Sequence, residues 1–176
     1  MRTETVILTY YQFDELDEQA RQNALNRLWD CNVDYDWWQH DYEDAANIGL
    51  KISSFDCDRG KIDISYLAGH TGEDVARAIL KEHGETCDTY KLAAAFLADR
   101  EDLVKKYSDG GDKVTEENEY DFDCELDDLE SEFLSDMGEE YLSSLSKEYD
   151  YLTGEEAIKE TIEANEWEFD TGGNLA

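Results

Sequence analysis

Seven apolar side chains, Phe122, Leu126, Leu129, Phe133, Met137, Tyr141 and Leu145, recur every three or four residues through the most acidic part of the chain. That is the period of an α-helix, not the two-residue alternation of a strand. It commits the segment to a helix with one apolar face, whatever the charge on its other sides. Between Asp109 and Glu140 the segment carries 15 acidic residues and one basic residue, Lys113. The acids are Asp109, Asp112, Glu116, Glu117, Glu119, Asp121, Asp123, Glu125, Asp127, Asp128, Glu130, Glu132, Asp136, Glu139 and Glu140. Gly138 is expected to break or kink the helix.

Such a helix repels itself. Asp121–Glu125, Asp123–Asp127, Asp128–Glu132, Glu132–Asp136 and Asp136–Glu140 are like-charge pairs four residues apart. Together they cost on the order of 1–2 kcal/mol at low salt. A fully helical Asp109–Glu140 would be about 48 Å long, with one carboxylate per about 3.2 Å. One DNA strand places a charge every ~3.4 Å, so the linear densities match. A solvated face and adaptation to high salt are the plain alternatives. The charge is uneven, which argues against adaptation: residues 101–150 hold 19 acids and 4 bases, residues 51–100 hold 9 and 7.

The whole chain of 176 residues has 46 acids and 15 bases, a formal net charge of −31. Phosphates of nucleic acids and anionic membranes should repel it, so direct binding to either is not expected. Cationic partners are. Hydrophobic residues make up 40% and aromatics 12%, enough for a packed core rather than a disordered acidic tail. No apolar run approaches the roughly 20 residues that span a bilayer, and no signal-peptide pattern opens the chain. Cys31, Cys57, Cys87 and Cys124 form no CxxC and read as buried free thiols. A soluble cytoplasmic protein is expected.

Along the chain, Thr5 to Tyr11 reads as a strand, and Asp14 as the cap of a helix reaching Asp30, with Leu16, Ala20, Ala24, Leu25, Leu28 and Trp29 inward. A second helix is expected over Asp36–Ile48, with Gly49 at its C-terminal turn. Leu50–Phe55 and Ile62–Tyr66 alternate about Asp58-Arg59-Gly60 as a hairpin, Phe55 on the side opposite Leu50 and Ile52. Thr71 with Asp74 forms a capping box for a third helix, and a fourth runs from Asp88 to Tyr107. Thr153 with Glu156 reads as another capping box, and Trp167–Phe169 as a last strand pairing with the earlier sheet. The expectation is a single α+β domain, with a small antiparallel sheet of about three or four strands and five or six helices. Residues 1–107 form the strand–helix–helix–hairpin–helix–helix core, 108–117 a Gly/Asp-rich linker, and 118–176 the acidic helix with a final helix and strand.

No nucleophile elbow, phosphate-binding loop, dinucleotide fingerprint or zincin motif is present. Cys57, His70, His83 and Cys87 could supply four zinc ligands, but their spacing matches no compact zinc motif. Asp34/Asp36, Asp56/Asp58 and Asp121/Asp123 could hold calcium, yet none continues into an EF-hand loop. No catalytic residue, cofactor or metal site is assigned. Tyr10-Tyr11 and Trp37-Trp38 read as core rather than a ligand patch.

The stretches Tyr10-Tyr11-Gln12-Phe13-Asp14-Glu15-Leu16, Tyr35-Asp36-Trp37-Trp38, Tyr42-Glu43-Asp44-Ala45, Tyr151-Leu152-Thr153 through Glu163-Ala164-Asn165, and Trp167-Glu168-Phe169 resemble a group of small acidic phage and prophage proteins. Those proteins are loosely labelled antitoxins of toxin–antitoxin stability systems. Where that group has a Gly- and Ser-rich aromatic segment, this chain has Ser65-Tyr66-Leu67-Ala68-Gly69-His70. The resemblance implies a mobile-element protein in a bacterial cytoplasm.

The expected function is a phage-type inhibitor of a host nucleic-acid-binding defence protein, such as a restriction or CRISPR nuclease. The 15 acids named above would form the DNA- or RNA-mimicking surface that meets the partner's basic surface. An antitoxin neutralising a basic toxin is the alternative, followed by an unrecognised enzyme or metal-binding protein. A homodimer is left open.

Overall fold

The structure, a computed structural model, describes residues 9–108 and 113–176. Within them an α+β fold is built from four short strands and six α-helices. Their order is β1 (Tyr11–Gln12), a 3-10 turn (Phe13–Glu15), α1 (Glu18–Arg27), α2 (Gln39–Asn47), β2 (Leu50–Asp56), β3 (Lys61–Tyr66), α3 (Gly72–Glu82), α4 (Asp88–Tyr107), α5 (Glu119–Leu152), α6 (Glu155–Ala164) and β4 (Glu168–Phe169). The strands pair antiparallel as two separate couples, β1 with β4 and β2 with β3. The chain forms two compact units, residues 1–37 with 147–176, and residues 38–146.

In the first unit Tyr11 pairs with Phe169, so the last strand meets the first one rather than the hairpin. Of the strand expected over Thr5–Tyr11, the part up to Leu8 lies outside the described residues. Phe13, Leu16, Ala20, Ala24, Leu25, Ile158, Ile162 and Phe169 make the core. Asp14 does not cap α1. It sits in the 3-10 turn, whose backbone carbonyls at Phe13 and Asp14 accept hydrogen bonds from Arg21. Asp17 caps instead, its Oδ1 accepting from the Ala20 N–H at 2.8 Å. The helix ends at Arg27, so Trp29 lies beyond the inward stripe and is 50% exposed. The expected Thr153 capping box does not form either. The Thr153 hydroxyl donates back to the Tyr149 carbonyl at 2.8 Å, and Gly154 is the N-cap of α6. Trp37 packs on Tyr149 with ring centroids 5.8 Å apart. Asn32 is buried; its Nδ2 donates to the Leu152 carbonyl (3.0 Å) and its Oδ1 accepts from the Thr161 hydroxyl (2.6 Å).

The second unit packs α2 to α5 and the hairpin around Ala45, Ile48, Leu50, Ile52, Val75, Ile79, Phe96, Phe133 and Met137. Gly49 follows α2 at φ +91° as expected, but α2 starts at Gln39 rather than Asp36. Ladder register slips by one residue between Ile52 and Ser54, a β-bulge. Beyond it Phe55 pairs with Ile62 and joins the face of Leu50 and Ile52, the reverse of simple alternation. Phe55 there meets Trp38 edge to face at 5.9 Å. Thr71 and Asp74 form the expected capping box of α3.

The apolar stripe from Phe122 to Leu145 lies on one uninterrupted 34-residue helix, α5. It begins at Glu119, ten residues after Asp109. Gly138 does not break it. A Cβ there would lie 3.1 and 3.2 Å from the Ile64 and Ile62 Cγ2 atoms, so the glycine lets the hairpin approach the helix. Of the Gly/Asp-rich stretch expected over 108–117, residues 109–112 lie outside the described residues. Ser108 bridges to Val114, and the Tyr107 carbonyl accepts from the Thr115 N–H at 3.3 Å.

Candidate functional site

The 15 acids do not form one uniform surface. Asp109 and Asp112 lie outside the described residues. Glu116 and Glu117 are exposed in the turn before α5, and the remaining eleven stand on α5 itself. At about 100° per residue, Asp121, Glu125, Asp128, Glu132, Asp136 and Glu139 fall within an arc of about 80°. They form a stripe of roughly one carboxylate per turn, about 27 Å long. Glu119, Asp123, Asp127, Glu130 and Glu140 lie outside that arc. The expected strand-like spacing is therefore spread over several sides, and the single line is sparser.

Two of the eleven are engaged inside the fold. The Glu130 Oε1 accepts from the Gly72 N–H at 3.1 Å, placing a carboxylate on the N-terminus of α3. The backbone carbonyl of Glu130 accepts from the Tyr66 hydroxyl at 2.9 Å. Burial, and then the Glu130 charge, push the Tyr66 phenol above its ordinary pKa. Glu125 holds the Lys106 ammonium at 2.6 Å and the Tyr107 hydroxyl at 2.8 Å. These hydrogen bonds, Lys106 first, lower the Glu125 pKa. By contrast, no described Lys or Arg comes within ion-pair distance of Asp121, Asp128, Glu132, Asp136 or Glu139.

The stripe borders an open groove between α4 and α5. Phe96 and Phe133 stack across it with centroids 4.4 Å apart. On α4 the wall is formed by Leu92, Asp99 and Leu103, and on α5 by Asp128, Leu129 and Glu132. The part between Asp99, Leu103 and Asp128 has a volume of about 310 Å³. Asp99 was not among the residues singled out from sequence. The available signal was its place, one turn from Phe96 and Leu103 on the apolar side of α4.

A second cavity of about 540 Å³ lies between α2, α4 and α5, around His83. The His83 Nδ1 shares a hydrogen bond with the Thr89 hydroxyl at 2.8 Å. Its Nε2 is buried, makes no hydrogen bond, and lies 3.5 Å from Asp44 Oδ1. The other Asp44 oxygen accepts from the Tyr141 hydroxyl at 2.7 Å, and burial, then that bond, raise the Tyr141 pKa. His83 and Cys87 share this cavity, but His70 packs against Gly49 and Cys57 lies in the hairpin connection. Among the described residues no three His, Cys, Asp or Glu side chains gather as a metal-binding group. Asp56, one of the calcium candidates, accepts from the Arg59 N–H in the hairpin turn.

No protein-family model, curated protein or solved structure matches this chain. Among the described residues no helix is long and apolar enough to cross a membrane.

Proposed function

We propose that the chain is a phage-type inhibitor whose α5 stripe occupies the basic, nucleic-acid-binding surface of a host defence protein in the bacterial cytoplasm. Restriction, CRISPR and related nucleases are the target class. The observation that carries this reading is the line of Asp121, Asp128, Glu132, Asp136 and Glu139, left without a described basic partner while Glu125 and Glu130 are tied into the fold. Side chains that balance each other would leave no field outside the protein; these five do not. A partner's lysines and arginines gain here the electrostatic attraction that they otherwise gain from phosphates.

The test is inhibition and binding of such a nuclease across a salt series, with Asp121→Asn, Asp128→Asn and Glu132→Gln combined. Expected are a steep loss of affinity with salt and loss of inhibition in the variant. Affinity that ignores both salt and neutralisation refutes the reading.

A further inference from the structure

We propose that the groove between α4 and α5 docks a basic amphipathic helix of the partner, apolar side chains on the floor and Lys or Arg against both walls. This rests on the acidic α5 face being the partner-binding surface, and specifies how it is met. A phosphate mimic alone needs only carboxylates. Here Leu92, Leu103 and Leu129 line a half-buried apolar channel between them.

Charge complementarity names the occupant. Asp99 from α4 and Asp128 and Glu132 from α5 line the same groove. Like charges thus converge from two walls, with no described Lys or Arg paired to any of them. Near the C-terminal end of α4 the walls are bridged by Lys106 on Glu125, which shows the kind of contact the open part lacks. Cations seated beside an apolar floor are less screened than in open water, so each contact is stronger than on a flat acidic surface. From Leu92 to Leu103 the groove is about 16 Å long, or three helical turns. A helix carrying apolar residues at i, i+4 and i+7 lays one apolar ridge along such a groove between two flanking rows of basic residues.

The experiment uses the full chain and two labelled peptides of about 15 residues, long enough for the groove. The first carries Leu at i, i+4 and i+7 with Arg on either side. The second has Ser for each Leu and the same charge. Fluorescence anisotropy should show the first binding about tenfold or more tighter, as expected for burying leucine side chains. Leu103→Ser should narrow that gap, and the combined Asp99→Asn, Asp128→Asn, Glu132→Gln variant should weaken both peptides and flatten their salt dependence. Equal binding of the two peptides to the unaltered chain, or no binding of the first, overturns the groove proposal. Equal but steeply salt-dependent binding leaves the acidic-surface reading standing. Binding of the first peptide that is indifferent to salt and to the triple substitution overturns both.

Discussion

Glu130 on α5 accepts a hydrogen bond at 3.1 Å from the backbone N–H of Gly72, the first residue of α3. Gly72 is needed for the fit, since a Cβ there would lie 2.8 Å from Phe96 Cζ and 3.1 Å from Glu130. An acid read from sequence as partner-binding surface is thus the anchor of another helix. Glu130→Ala should destabilise the protein by about 1 kcal/mol, the usual loss for a helix-terminal acceptor. Glu130→Gln keeps an acceptor oxygen and should lose less. It should also bring the Tyr66 phenol partway back towards its ordinary pKa, because the Glu130 charge is the second cause of that shift. Urea unfolding and ultraviolet titration of the tyrosines measure the two effects.

Asn32 is the buried polar side chain among the described residues of the first unit, and both ends of its amide are used. Asn32→Ala leaves the Leu152 carbonyl and the Thr161 hydroxyl without that partner. A loss of about 1–3 kcal/mol is expected, the penalty of unsatisfied buried groups. A loss of unfolding free energy, measured by urea denaturation, of under about 0.3 kcal/mol would mean that water replaces the amide.

Gly138 sets the spacing between α5 and the hairpin. Alanine gains up to ~1 kcal/mol of helix propensity but presses on Ile62 and Ile64, so Gly138→Ala should be close to neutral. Gly138→Val adds methyl groups where there is no room and should cost about 1–3 kcal/mol. Melting temperatures of the two variants rank them; equal values would show that the hairpin yields.

Neutralising the free stripe should have opposite effects on stability and on binding. Asp128→Asn with Glu132→Gln removes the Asp128–Glu132 and Glu132–Asp136 repulsions, each a few tenths of a kcal/mol. The melting temperature should rise slightly at low salt, with the gain shrinking as salt is added. Inhibition of the target should fall in the same protein. A lower melting temperature would place these carboxylates in the fold's own support.

Asp170 holds the C-terminal turn through the Asn174 side chain at 2.7 Å and the backbone N–H groups of Asn174 (2.9 Å) and Gly172 (2.8 Å). Those bonds, the Asn174 side chain first, lower its pKa below the ordinary aspartate value. A depressed folded-state pKa means stabilisation that is complete above the unfolded value of about 3.9 and is lost as pH falls through the lower folded one. The amide resonances of Gly172 and Asn174 should therefore stay unchanged on lowering pH to about 4 and move only below it. Movement centred on the ordinary aspartate pKa would show that the turn gives the carboxylate no preference.

Local chemistry by itself determined the helical period of α5, the Thr71–Asp74 capping box and the hairpin about Asp58-Arg59-Gly60, because helical period, caps and turns depend on neighbours a few residues away. The free or engaged state of each carboxylate was decided by tertiary structure. Glu130 and Gly72 are 58 residues apart, Asp44 and Tyr141 are 97 apart, and no spacing rule connects them. The same holds for β4 closing on β1, and for the one-residue bulge that turns Phe55 inward. Sequence set the amount of charge and the helix that carries it; packing decided which of those charges face solvent without a partner, because ion pairing and capping are contacts between distant parts of the chain.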